Sequence, residues 1–438
     1  MNKDHKRGSR RFRLLGAAVV ASLLVAACGD DSDAEDTAGA DPTTTAATSI
    51  SGPGETAATD TTDPTAGTET TSVGAAPTTD GEPWRIGIVT SFTGPANALG
   101  LEEVNSYRLA AKLVNDAGGI NGRPIEVIED DDQSKPEQAI IAVNKQIFQD
   151  EVHAIIGGLS TGATLAVKPI VEKEKVVLMS AHVGVATTED NPQYLFRAGI
   201  SDRTSNTWLL NQLVDNGLKR LAIIHDSNAY GTGSQDIVQK LIEDEGFDVE
   251  VVATQTFKTE DTDMRAQLTS IASSNPDAVY IIGTNPAPAL VIKQAHELGL
   301  EAAMYGSTGL LSPKTIEIAG ADAAEGFIVP GLGIANRPRP EQEEFIEAFR
   351  AEYGRDPVGF EFYGDGMYLV LKALEHVTAD PSDLEAAREE IKDSLETNIN
   401  EMSWSFGPSS YSPDNHEGAD ERSLVPMTIT GGAFERLG

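Results

Sequence analysis

Gly158-Leu-Ser160-Thr-Gly162 sets a serine between two glycines in the pattern G-x-S-x-G. On a strand-to-helix turn that pattern holds a nucleophile for acyl transfer, with an acid and then a histidine required downstream. His296 falls within a helical pattern, His376 and His416 fall near element ends, and none has a distinctive setting. Only three strands precede the motif, fewer than a hydrolase elbow usually follows, and five residues carry little weight in a chain with 41 glycines. A secreted serine hydrolase using Ser160 is therefore the lesser alternative. Binding suits the loop better. Ser160, Thr161 and Thr164 flank a helix start, where free N–H groups and hydroxyls can hold a carboxylate or another oxygen-rich group. The plain reading of the same residues is a helix cap, and the two are compatible. No catalytic residue is assigned.

Other candidates are weaker. Asp130-Asp131-Asp132 suggests Mg²⁺ or Ca²⁺, but no ligand-loop spacing follows, so a solvated strand end is expected. His182 stands in Ser180-Ala-His-Val-Gly184 without a His or Cys partner at metal spacing, and it would face a cleft or lie on a surface loop. Gly231-Thr-Gly233 lacks the third glycine of a dinucleotide fingerprint, and Tyr230 would crowd a pyrophosphate. There is no Walker A sequence. No metal and no cofactor are expected.

The elements that must position these residues read as alternating strands and helices. Strands are expected at 86–89, 125–128, 153–156 and 176–179, with helices at 102–115, from Pro136 onward, and at 163–174. In the first helix Val104, Tyr107, Ala111 and Val114 form one apolar stripe. The grammar restarts with a helix at 208–214 and strands at 221–225, 249–252, 278–282 and 302–305. Helices at 235–244, 264–274 and 287–298 separate them. This alternation predicts an α/β fold of two Rossmann-like lobes with mostly parallel sheets, 84–200 and 201–330. The tail adds helices at 341–353, 366–375 and 384–395, then strands at 403–406 and 425–430.

The start of the chain is different. Residues 1–27 carry six Lys/Arg against one Asp, and 14–27 is a run of 14 apolar and small residues. That is a signal peptide, too short for an ordinary transmembrane helix. Val25-Ala26-Ala27-Cys28 resembles the bacterial lipobox, which implies cleavage before Cys28 and acylation of its sulfur. Cys28 is the one cysteine, so neither an internal disulfide nor a cysteine zinc site is possible. Residues 28–83 are rich in Thr, Ala, Asp, Gly and Pro and predict a disordered tether with a mean reach of roughly 40 Å. The net charge is -35, and about -40 beyond residue 27 by difference. A nucleic-acid binder is excluded, because it needs basic surface against phosphates.

Ile86-Gly-Ile-Val-Thr-Ser-Phe-Thr-Gly-Pro, Ala117-Gly-Gly-Ile-Asn-Gly, Glu129-Asp-Asp-Asp, Ile155-Ile-Gly-Gly, Ile224-His-Asp-Ser-Asn-Ala-Tyr-Gly and Tyr363-Gly-Asp occur in that order. Together, over roughly 84–430, they resemble the branched-chain amino-acid (Leu/Ile/Val)-binding family, lipoprotein solute receptors of ABC transporters with the type I periplasmic-binding-protein fold. The resemblance implies two lobes joined by a three-strand hinge: 84–200 with 333–402, and 201–332 with 403–438. It implies a small-molecule ligand between them, an ABC transporter permease as partner, a lipid anchor at the cell membrane facing outward, and a monomer. A sensory receptor of the same fold is a further alternative.

Carried over by position, the first lobe would offer Ser91, Ser160, Thr161, Thr164, His182 and Gly184. The second would offer Tyr230, Thr284 and Thr308. The family's amino-acid binders place a carboxylate against the ligand ammonium where this chain has Thr308. A buried cation without a partner costs on the order of several kcal/mol. Either Asp202, Asp226 or Glu102 substitutes, or the ligand is not an α-amino acid. The expected cargo is an amino acid or a small polar or carboxylated organic solute.

Overall fold

The computed structural model describes residues 81–157, 160–181, 184–333, 335, 336 and 338–437. Cys28, the signal peptide and nearly all of the expected tether lie outside the described residues, as does His182. No described helix is long and apolar enough to cross a membrane.

The first part of the chain alternates Trp84–Thr90 (β1), Asn97–Asp116 (α1), Ile125–Asp131 (β2), Pro136–Phe148 (α2), Ala154–Gly157 (β3), Thr161–Glu174 (α3), Val177–Ser180 (β4) and Leu195–Arg197 (β5). Its five strands form one parallel sheet in the order β2-β1-β3-β4-β5. Successive strand residues point to opposite faces, so both faces must be apolar when both are covered. Ile86, Ile88, Ala154 and Ile156 pack on the α1 side, and Val89, Ile155 and Leu178 pack under α2 and α3. That is why β1 and β3 read as continuous apolar runs.

The second part runs through Asp202–Asp215 (α4), Arg220–Asp226 (β6), Ala229–Glu245 (α5), Glu250–Phe257 (β7), Arg265–Ser273 (α6) and Ala278–Ile282 (β8). Ala287–Glu297 (α7), Ala303–Gly306 (β9), Pro313–Ala319 (α8), Ala321–Ala324 (α9) and Ile328–Gly331 (β10) complete it. Then follow Glu343–Tyr353 (α10), Asp365–Leu374 (α11), Leu384–Asn398 (α12), Val425–Thr430 (β11) and Ala433–Arg436 (β12). The second sheet has the order β12-β11-β10-β9-β8-β6-β7, parallel except where β11 meets β10 and β12.

Helices α10 and α11 pack against α1, and α12 packs against α11 and β4, so the tail returns to the first sheet before β11 joins the second. The chain thus passes between the sheets three times: from β5 to α4, from β10 to α10, and from α12 to β11. Two mostly parallel α/β halves are the fold class that the alternating pattern predicts, and three crossings between them are what the family resemblance implies.

Several boundaries differ from expectation. Helix α1 begins at Asn97, five residues before the expected start, because Gly100 hides the helical pattern there. A Cβ on Gly100 would lie 2.4 Å from the Ser91 carbonyl oxygen, so only glycine lets α1 pass that close. Helix α4 begins at Asp202, with the Ser201 hydroxyl accepting from the Thr204 N–H at 3.3 Å. Helix α5 begins at Ala229 and absorbs Gly231 and Gly233. The 403–406 strand does not form. The N–H groups of Trp404, Ser405, Phe406 and Gly407 point at the buried Asp365 carboxylate at 2.8–3.3 Å, so no strand partner takes them.

The Asp130-Asp131-Asp132 run is also less solvated than expected. Asp132 is buried and accepts from the Ser91 hydroxyl at 2.6 Å and the Ser134 N–H at 2.8 Å. Asp130 meets Lys145 at 3.0 Å, and Asp131 accepts the Thr93 N–H at 3.1 Å. The run ties the loop after β1 to the end of β2.

Candidate functional site

At the carboxyl end of β3 the chain turns into α3. The Ser160 hydroxyl accepts from the Ala163 N–H at 3.0 Å, closing the first helical turn. The Thr164 hydroxyl donates back to the Ser160 carbonyl at 3.1 Å. In the other half, β6 turns into α5, and the Asn228 side chain accepts from the Gly231 N–H at 2.9 Å. Two helix starts, each at the carboxyl end of a strand, therefore border one cavity, the position where open α/β sheets bind ligands.

That cavity has a volume of about 300 Å³. From the first half, Ser160, Thr161 and Gly162 line it with Pro95, Leu99 and Pro136. From the second come Asn228, Ala229, Tyr230, Thr259, Thr284 and Thr308. Phe360 and Tyr363, on the segment before α11, complete an apolar wall. Hydroxyl groups and apolar surface thus dominate. None of its described lining residues carries a formal charge, and no described histidine lines it.

Tyr230 is buried, and burial pushes its phenol up to about 12, with Ser307, Thr308 and the Gly309 N–H opposing. It stays neutral at ordinary pH. Thr161 separates this cavity from a second one of about 240 Å³, lined among others by Gly184, Asp202 and Lys240. A Cβ on Gly184 would lie 2.3 Å from the Thr161 hydroxyl oxygen, so a glycine is needed there. The buried Arg197 guanidinium donates to the Gly184 carbonyl at 3.0 Å and fixes that turn. Asp202 accepts the Val185 N–H at 3.0 Å; burial pushes its carboxyl up to about 6 against the pull of Arg197.

Of the residues expected at the cleft, Ser160, Thr161, Tyr230, Thr284 and Thr308 line the larger cavity, and Gly184 borders the second. Ser91 and Thr164 line neither. Ser91 is buried under α1 with its hydroxyl given to Asp132, and Pro95 and Ala96 present that loop to the cavity instead. His182 lies outside the described residues.

The three acids considered as ammonium partners are all used internally. Asp226 accepts from the Asn228 N–H at 3.1 Å and the Thr259 hydroxyl at 2.7 Å, and burial raises its carboxyl. Glu102 accepts from the Ser312 hydroxyl at 2.7 Å and the Phe360 N–H at 3.0 Å. Of the three, only Asp202 borders a cavity, and that is the second one. Sequence reasoning missed Leu99, Pro136, Thr259, Phe360 and Tyr363. Of the missed residues, Asn228, a good N-cap residue just before a helix, Pro136, which opens one, and Tyr363, in the Tyr363-Gly-Asp motif, carried a local signal.

The chain is similar to known proteins over most of this region. A leucine-, isoleucine-, valine-, threonine- and alanine-binding protein of Pseudomonas aeruginosa is 27% identical over 310 residues, 70% of this chain and 79% of that protein. A solved leucine binding protein of Thermotoga maritima superposes with a TM-score of 0.71 at 24% identity, covering 81% of this chain and 97% of that one. A branched-chain amino acid transporter substrate binding protein of Streptococcus pneumoniae, solved with isoleucine, superposes with a TM-score of 0.72 at 24% identity, covering 81% and 99%. At that identity these two likenesses show the fold. The periplasmic binding protein family matches residues 83–431, a span holding every residue of both cavity walls, and the chain belongs to that family.

Proposed function

We propose that this chain is an extracytoplasmic receptor that captures an amino acid or a small polar or carboxylated organic solute in the larger cavity and delivers it to an ABC transporter permease. The observation that carries this reading is a 300 Å³ space walled by strand ends of both halves, hydroxyl-rich and apolar, with no charged described residue in its lining. A carboxylate fits the helix start at Ser160–Gly162, where backbone N–H groups and the Thr161 hydroxyl are at hand. The apolar part of the solute fits against Leu99, Pro136 and Phe360. Relatives named for leucine, isoleucine and valine support a solute of that size.

Cys28 is the proposed lipidation site, and the receptor acts as a monomer held to the outer face of a cell membrane. Binding is proposed in place of catalysis: the Ser160 hydroxyl already serves as a cap, with no described histidine in the cavity wall to activate it.

Native mass spectrometry of the full chain, followed by thermal shift over L-amino acids, amides and organic acids, tests the reading. One small molecule per chain and a melting point raised by one chemical class are expected. Thr161→Val should weaken that ligand about tenfold, the value of one hydrogen bond of roughly 1–1.5 kcal/mol. Silence across the whole panel, with nothing co-purified, would overturn it.

A further inference from the structure

We infer that Glu102 is a positioning residue that latches the two halves together beside the ligand cavity, so that closure of the cleft responds to its protonation. This rests on reading that cavity as the ligand site. Glu102 lies on α1, one turn after Leu99, which lines the cavity. One carboxylate oxygen accepts from the Ser312 hydroxyl at 2.7 Å, and Ser312 is the cap of α8, a helix packed on α7 and β12 of the other half. The other oxygen accepts from the Phe360 N–H at 3.0 Å, and Phe360 also lines the cavity. Gly359 has φ +52, and a Cβ there would lie 2.5 Å from that second oxygen, so the chain is shaped around the carboxylate. A single side chain thereby joins α1, the opposing half and a cavity wall.

The groups facing it decide its titration. Glu361 and Arg355 act on it in opposite senses and are paired with each other at 2.7 Å. Lys314 of α8 turns to Glu317 at 2.7 Å, and the neighbouring Glu103 accepts from Thr90 at 2.6 Å. Burial is the largest influence and pushes Glu102 up to about 7, with the hydrogen bonds from Ser312 and Phe360 opposing. Opening the cleft exposes the carboxyl on its Ser312 side and lets it fall back toward its ordinary value of 4.5. The closed form therefore holds its proton more tightly. Its advantage is full in acid, below the value reached on opening, and fades as pH rises from there through about 7. The neutral amide of Glu102→Gln can satisfy Ser312 and Phe360 without a charge.

Electron–electron double resonance on the full chain tests the latch without any ligand, so its failure is separable from failure of the binding reading. Spin labels go on Phe148→Cys and Asp248→Cys in a Cys28→Ser background; both positions are exposed. Between pH 5 and 8 the ratio of long to short distances should rise by roughly one to two orders of magnitude. Glu102→Gln should stay short at every pH, and Glu102→Ala should be long and independent of pH. A distribution that does not change from pH 5 to 8, or a Glu102→Gln variant that follows the parent, overturns the proposal.

Discussion

Asp365 shows how much one residue can hold. Its carboxylate is wholly buried and accepts N–H bonds from Trp404, Ser405, Phe406 and Gly407, so it anchors the third passage of the chain between the sheets. Burial raises its carboxyl, and those same N–H groups oppose the rise. Removing it leaves several buried donors without an acceptor, at ~1–3 kcal/mol each, part of which water recovers. Asp365→Ala should therefore lose on the order of 3–5 kcal/mol in urea unfolding of the full chain. A loss under about 1 kcal/mol would mean that the 403–407 segment is held by something else. Tyr363-Gly-Asp was visible in the sequence as a motif, but its use was not. The acceptor and its donors are some forty residues apart, and nothing local in either stretch points to the other.

At the scale of elements, the helix start at Ser160 combines two roles that substitution can separate. As a cap, Ser160 satisfies the Ala163 N–H; as a cavity residue, it faces the space between the halves. Ser160→Ala should cost about 1 kcal/mol of stability by losing the cap. Ser160→Asp keeps a good cap at a helix N-terminus and should melt near the parent temperature, while repelling any carboxylate from the cavity. Thermal melts of both variants check this; an aspartate as destabilising as the alanine would deny the capping role. The long apolar strands and most helices were legible because each had a clear period or a continuous buried run. The short β5, β10 and β12 and the seven-residue α8 were not, since three to seven residues carry little periodic signal. The cavity was half legible. Thr161 follows from the strand-to-helix turn it starts, whereas Tyr230 follows only from the resemblance carried over by position. Phe360 and Leu99 reach the wall only through the packing of the returning tail on α1, a long-range contact.

For the whole molecule, charge is the dominant unbalanced quantity. There are 68 acidic residues against 33 Lys and Arg. Even if every cation were paired, an excess of carboxylates would remain and repel one another in the folded state. Ion pairs such as Arg108–Glu129 at 2.6 Å and Arg422–Glu401 at 2.8 Å sit on exposed or half-exposed side chains, where each is worth about 0–1 kcal/mol. Added salt weakens these pairs and the general repulsion together. The pairs are short-range and individually small, whereas the repulsion sums over the whole surface at distances beyond the ~10 Å screening length of 0.1 M salt. Repulsion should therefore be the larger loss. Going from 10 mM to 500 mM NaCl should raise the melting temperature of the full chain by about 1 °C or more, the shift for roughly 1 kcal/mol in a chain of this size. The same experiment with a Lys- and Arg-preserving variant in which several exposed acids become Gln should show a smaller rise. A melting temperature that falls with NaCl would mean that the surface pairs outweigh the excess, and that the acidic surface is a stabilising network.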